Sequence, residues 1–238
     1  MSTAITASAP TSGRSRTTMT WPVPAELVSI TAILTYHALL IALIYLRPDL
    51  DPSWHTISEW ALGPYGWLMS AGFLLSAVAY GAAFVAFRGR LHDRTGKAGL
   101  VLLGVCVIGT AGVGVFTTDP LTAAAPSARG MMHVILGTSA LVLLPVAALL
   151  INRSLLHSAP RPTSAQRLLR ATAALPLAGF LGFAIYTALF VVPLGPHAYG
   201  PGVHIGWPPR VAFWCYAIWL VAVMGQSLVE RTSHEKTA

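Results

Sequence analysis

The stretch GWLMSAGFLLSAVAYGAAFVAF, residues 66–87, decides the fold class of this chain. It contains no Asp, Glu, Lys or Arg over its whole length. An α-helix rises 1.5 Å per residue, so about 20 apolar residues cross the hydrocarbon core of a bilayer. Polar and apolar residues do not alternate along the stretch, as they would in the strand of a membrane barrel. It therefore predicts a transmembrane helix.

Similar apolar runs occur on both sides of this stretch. The chain is 55% hydrophobic and only 10% charged, whereas soluble domains carry about 25% charged residues. We therefore predict an all-α fold, a bundle of six transmembrane helices in a membrane domain over 23–230, with a disordered cytoplasmic tail at 1–22 and a second tail at 231–238. The predicted spans are 24–46, 66–87, 98–117, 130–151, 171–194 and 211–229.

The basic residues predict the orientation of the bundle. Cytoplasmic loops carry the excess of Lys and Arg. The termini and connections two and four hold most of them, whereas connections one, three and five hold only Arg47, Arg129 and Arg210. Both termini are therefore expected in the cytoplasm, with the protein in the inner or plasma membrane. The net charge of +7 is explained by topology, and no basic face with interleaved aromatic residues indicates nucleic-acid binding.

The first outside connection, RPDLDPSWHTISEWALGPYGW, carries a helix signal. Asp51 followed by Pro52 is typical of a helix N-cap with proline at the first helical position, and Gly63-Pro64 ends such a helix. We expect a short interfacial helix over 52–62, before the second span. The fifth connection is too rich in Gly and Pro to be regular.

Polar side chains converge at the predicted outer level. Acidic and imidazole groups near the membrane core are costly, so they usually have partners or a function. The spacing of His55 and Glu59 is that of one helix face. The sequence shows no comparable cluster at the inner level. The candidates at the outer level are His55, Ser58, Glu59, Asp119, His133, His197, His204 and Arg210.

Three interpretations of this cluster remain open. The first is a zinc site, with His55, Glu59, Asp119 and His133 as ligands or a water-activating base. The second is an acid–base or anion site without metal, in which Arg210 binds a phosphate or carboxylate and Glu59 or Asp119 moves a proton. The third is structural, with Arg210 neutralising one of these carboxylates. The candidate catalytic residues are Glu59, Asp119, His133 and His55, and the candidate substrate contacts are Arg210, Ser58, Trp60 and Trp207.

Three segments carry a family resemblance. They are HTISEWALGPYGWLMSAGF at 55–73, FTTDP at 116–120 and GMMHVILG at 130–137. In this order and spacing they resemble a bacterial family of multipass membrane proteins of unknown function, which is distantly similar to the DRAM and Sfk-type membrane proteins. The resemblance covers roughly residues 25–230. Its pattern falls on His55, Ser58, Asp119, Gly130, His133 and Arg210, and it implies a membrane setting.

Three functions are compatible with these features. The first is a hydrolase or transferase that acts on a lipid or other amphiphile through the polar groups at the outer mouth of the bundle. The second is a non-catalytic protein that organises lipids or supports a partner. The third is a cyclase of prenylated substrates, in which Glu59 or Asp119 donates a proton and outer tryptophans stabilise carbocations. Membrane lipids are the expected partners in each case, and zinc is the one cofactor candidate.

Overall fold

A computed structural model describes residues 24–123, 125–157, 164–195 and 200–237, without the side chains of 164–166 and 233–237. All regular elements in these ranges are helical, and six helices are long and apolar enough to cross a membrane. The predicted six-span bundle is confirmed. The α-helices are α1 Ala25–Leu46, α2 Gly66–Phe87, α3 Arg94–Val115, α4 Ala128–His157, α5 Ser164–Ala173, α6 Leu175–Tyr186 and α7 Trp207–Thr237.

The spans form a closed ring. Each packs mainly on two neighbours, in the order α1, α2, α3, α4, α6, α7 and back to α1, and the seam between α4 and α6 is the least extensive. The short α5 lies against α4 and α7 at one end. We call the end that carries connections one, three and five the mouth end, and the opposite end the base end.

Glycines allow α3 to pack closely in the wall of this ring. A Cβ added at Gly109 would lie 2.7 Å from the backbone oxygen of Leu136 on α4, and one at Gly114 would lie 2.8 Å from the Leu74 side chain on α2. The opposite face of α3 is open, since Val101 and Ile108 are 66% and 69% exposed. Close approach of two backbones is the usual role of small residues in membrane helices.

The fifth span is interrupted. The candidate span Arg167–Leu194 includes the end of α5, all of α6, a π-helical turn at Thr187–Val191 and a 3₁₀ turn at Val192–Leu194. Pro176 lies in the first turn of α6, where its missing N–H is tolerated, and Pro193 lies in the 3₁₀ turn. Since α-helical hydrogen bonding is disturbed near Pro193, the mouth end of this span is irregular.

The helix before α2 is shorter than predicted. It is a 3₁₀ helix at Ile57–Ala61, whereas residues 52–55 form turns. The Asp51 carboxylate accepts a hydrogen bond from the Ser53 N–H at 2.8 Å, so it stabilises a local turn and does not cap a long helix. The bounds 52–62 were therefore wrong, because Asp-Pro is equally typical of a turn.

Candidate functional site

Glu59 joins connection one to connection three. It is buried, at 7% exposed. One carboxylate oxygen accepts hydrogen bonds from His55 Nδ1 and from the Thr56 N–H, both at 3.0 Å, and the other accepts from the Leu121 N–H at 3.4 Å. His55 precedes the 3₁₀ helix, so the contact between His55 and Glu59 arises from a turn and not from one helix face. The bonds from Thr56 and Leu121 come from backbone N–H groups, so Glu59 fastens connection three to connection one.

Asp119 holds the N-cap of α4, Ser127, in place. Its carboxylate accepts hydrogen bonds from the Ser127 N–H and from the Ser127 hydroxyl, both at 2.7 Å, and that hydroxyl accepts from the Gly130 N–H at 3.0 Å. A Cβ added at Gly130 would lie 2.0 Å from a carboxylate oxygen of Asp119. A negative charge is favourable at the positive end of a helix, so these contacts account for both Asp119 and Gly130.

His133 forms a hydrogen-bonded chain with Phe116 and Ser58. Its Nδ1 lies 2.6 Å from the backbone oxygen of Phe116, and its Nε2 lies 2.8 Å from the Ser58 hydroxyl. A carbonyl oxygen can only accept, so Nδ1 must carry the hydrogen. In a neutral imidazole Nε2 then has a lone pair and accepts the hydrogen bond from Ser58. His133 is 4% exposed, so these hydrogen bonds are largely sheltered from bulk water.

A cavity of about 330 Å³ lies inside the ring, and Ser58 and His133 are part of its wall. All six packed spans contribute lining residues. The polar groups at the mouth end are Thr56, Ser58, Thr118 and His133. Tyr80, Leu144 and Tyr216 close the other end, and the wall between is mainly apolar. A mostly apolar pocket with a few convergent polar groups is the usual form of a small-molecule site.

Arg210 holds connection one against the start of α7. Its Nη1 donates hydrogen bonds to the backbone oxygens of Pro52, His55 and Gly206 at 3.1, 2.9 and 2.6 Å. The guanidinium lies 4.4 Å from the ring centre of Trp60, a cation–π contact. Among the residues that the structure describes, no ion pair joins Arg210 to either predicted carboxylate. The direct polar contacts of Arg210 are therefore with backbone carbonyl oxygens.

The predicted cluster separates into two groups. Ser58 and His133 line the cavity, whereas the other candidates lie outside its lining. His204 and Trp207 are exposed, and His197 lies outside the described residues. In the described part of the chain no three His, Cys, Asp or Glu residues are arranged to hold a metal ion, so the predicted zinc ligands do not come together among these residues. The peripheral candidates are His55, Glu59, Trp60, Asp119 and Arg210.

A second polar network lies at the base end, where the sequence predicted none. Glu26 on α1 is 5% exposed and accepts a hydrogen bond from the Ser227 hydroxyl at 3.1 Å. Arg90 donates to Ser227 and to Glu230, and Arg231 lies 3.7 Å from the Glu26 carboxylate. The expectation of no inner cluster was therefore wrong. A carboxylate in the first turn of an apolar helix was the available signal.

Comparison with known proteins places the chain in a family. A family model described as "Protein of unknown function (DUF998)" matches residues 30–225. The chain belongs to the DUF998 family. The DUF998 match extends from α1 to α7 and includes Ser58, Phe116 and His133.

Neither the curated proteins nor the solved structures gave a match to this DUF998 member. A family of unknown function is therefore found, as expected, whereas its bacterial origin and its likeness to the DRAM and Sfk-type proteins stay predictions.

Proposed function

We propose that this protein is a membrane-embedded acyl hydrolase or acyl transferase that acts on an amphiphile, with Ser58 as nucleophile and His133 as general base. The observation that carries the proposal is the chain from Phe116 through His133 to Ser58 at the wall of the cavity. A nucleophile bonded to a base, which is in turn oriented by a third group, is the arrangement of covalent catalysis. Here a backbone carbonyl supplies the third group.

The reaction follows from the hydrogen positions. The Ser58 oxygen attacks the carbonyl carbon of an ester while its proton passes to His133 Nε2. The tetrahedral intermediate breaks the bond to the alcohol oxygen, and His133 returns the proton to that leaving alcohol. Water, or a second alcohol in a transferase, then attacks the acyl-Ser58 ester with His133 again as base. This regenerates the serine and releases a carboxylic acid or a new ester.

The cyclase alternative has weaker support. A proton donor for a cyclase must face its substrate, yet Glu59 and Asp119 lie outside the lining of the cavity. Their oxygens already accept hydrogen bonds from His55, Leu121 or Ser127. The non-catalytic alternative uses the same cavity to hold an amphiphile, with the bond between Ser58 and His133 serving only to fasten connection one to α4.

A serine-directed fluorophosphonate probe separates the catalytic from the non-catalytic function. The purified protein in lipid nanodiscs should be labelled at Ser58, and Ser58→Ala should abolish the labelling. His133→Gln should slow it by about 10²–10⁴-fold, the usual contribution of a general base. Ser76→Ala is the matched control, because Ser76 also lines the cavity and forms no hydrogen bond to His133 among the described residues. This variant should be labelled like the wild type.

Two results would contradict the proposal. One is a wild-type protein that no probe labels. The other is a Ser58→Ala variant that is still labelled like the wild type, because the probe reacts at another residue, and that loses thermal stability. Either would assign the bond between Ser58 and His133 to the architecture and favour the non-catalytic function.

A further inference from the structure

The shape and charge of the cavity limit what Ser58 can act on. We infer that the substrate is an uncharged ester with a single acyl chain of roughly a dozen carbons, entering from the bilayer between α4 and α6. The inference rests on the proposed function. It is carried by the depth of the cavity, its volume, the charge of its wall and the position of its side opening.

The depth of the cavity sets the length of the chain. On α4 the lining runs from His133 to Leu144. Eleven helical steps at 1.5 Å cover about 16 Å, the length of an extended chain of roughly a dozen carbons. Tyr80 and Tyr216 close the same end as Leu144, and they are 5% and 1% exposed. A longer chain would have to displace buried aromatic side chains.

The volume favours one chain. At about 330 Å³ the cavity lies at the lower end of the range for small-molecule sites, which is about 300–1,000 Å³. A diacyl lipid would leave its second chain outside. The cavity has polar groups at the mouth end and a mainly apolar inner part, which we call the shaft. These two parts match the two ends of a single-chain amphiphile, with the acyl carbonyl at Ser58 and the leaving alcohol among the polar groups of the mouth end.

The wall of the cavity favours an uncharged head. None of the described residues that line it is Asp, Glu, Lys or Arg. The nearby cation Arg210 directs Nη1 at three backbone oxygens and packs on Trp60. A phosphate taken out of water requires charge-assisted hydrogen bonds, which this wall does not supply. The fatty acid formed by hydrolysis is ionised, so the same wall favours its release.

A side opening explains how such a substrate reaches Ser58. Val134 and Thr138 line the cavity and are nevertheless exposed, Val134 at 58%. They lie on α4, and Phe183 on α6 lines the cavity across the seam. Since this seam is the least extensive of the ring, an acyl chain can pass from the bilayer into the cavity without first leaving the membrane.

The test compares substrates with an uncharged and a charged head group, and two variants in which a larger side chain fills the shaft. Wild-type protein in nanodiscs is given 1-monoacylglycerols of increasing chain length, and lysophosphatidylcholines with the same chains. We expect kcat/KM to be greatest near a dozen carbons, and at least about 10-fold greater for the uncharged head at equal chain length. Ala140→Leu and Gly137→Leu, which fill the shaft about 10 Å and 6 Å below His133, should shift the optimum to progressively shorter chains.

Val142→Leu is the matched control, because Val142 lies on α4 outside the cavity lining and is 38% exposed. It should keep the wild-type chain-length profile. A filled-shaft variant that melts early is replaced by Gly137→Ala, whose Cβ would approach Val113 at 3.3 Å. Ester cleavage with no preference for the uncharged head, or with an unshifted optimum, would overturn this inference and leave Ser58 as the nucleophile. Failure of every ester together with failure of fluorophosphonate labelling would overturn the proposed function itself.

Discussion

Ser58 and Glu59 are neighbours in the chain with different surroundings. Ser58 contacts His133 and the cavity, whereas the Glu59 carboxylate is enclosed by His55, Thr56 and Leu121. The sequence placed both residues at one depth but could not say which of them faces a cavity. That distinction depends on where α4 and connection three come to lie, and these contacts join residues far apart in the chain.

Glu59→Gln should destabilise the protein while leaving the Ser58 site in place. The Glu59 oxygens accept hydrogen bonds from two backbone N–H groups and from His55. An amide offers a donor where one acceptor is needed, and a buried unsatisfied donor costs about 1–3 kcal/mol. We expect a lower melting temperature in detergent, with probe labelling of the folded fraction unchanged. Loss of labelling at unchanged melting temperature would instead make Glu59 part of the chemistry.

Asp49 predicts a pH dependence at the mouth end. Its carboxylate accepts hydrogen bonds from Arg47 at 2.7 and 2.8 Å, and this contact holds the pKa of Asp49 below its ordinary value. A lowered pKa means that the contribution to stability is complete above the unfolded carboxyl pKa, about 3.9, and is lost as pH falls through the folded value. The melting temperature should therefore decrease as the pH is lowered below about 4. Asp49→Asn should weaken that fall, and an identical pH profile for the variant would contradict the prediction.

At the scale of the elements, hydropathy located all six spans but did not predict which spans pack against one another. An apolar run indicates that a helix is surrounded by apolar groups. Lipid chains and the protein interior are similarly apolar, so the run does not show which of them a given side chain contacts. The ring order, the place of α3 in the wall and the break between α5 and α6 depend on contacts between helices. The glycines of α3 allow close packing, and the structure shows that Gly109 uses it against α4 and Gly114 against α2.

Substitution of Gly130 tests whether the contact with Asp119 stabilises the start of α4. Gly130→Ala would place a Cβ 2.0 Å from the Asp119 carboxylate and force the cap apart. Overpacking of this kind costs about 1–3 kcal/mol. Gly81→Ala is the matched control, since the nearest atom to its added Cβ is 3.8 Å away. In a double-mutant cycle, Asp119→Ala should cost less in the Gly130→Ala background than alone. If the stability losses of the two substitutions add strictly, Asp119 and Gly130 do not act through the same contact.

At the scale of the whole molecule, one end of the ring leads to a cavity and the other is held together by polar side-chain contacts. The mouth end leads to a cavity with Ser58 and His133 in its wall. The base end is joined by contacts from α1 and connection two to α7, through Glu26, Arg90 and Ser227. On the inference above, a substrate reaches the cavity from one face of the membrane and from the bilayer. The basic residues predict which face this is.

The orientation can be tested by thiol labelling of intact cells. Ala125 is exposed in connection three at the mouth end, and Gly89 is exposed in connection two at the base end with no atom within 4 Å of an added Cβ. Since the basic residues concentrate at the base end and in the termini, this end should face the cytoplasm. A membrane-impermeant maleimide should label Ala125→Cys in intact cells, and Gly89→Cys only after permeabilisation. The native Cys106 is buried and Cys215 is half-buried, so the wild type serves as the background. The reverse labelling pattern would turn the mouth to the cytoplasm, and a lipid of the cytoplasmic leaflet would then be the source of the acyl chain.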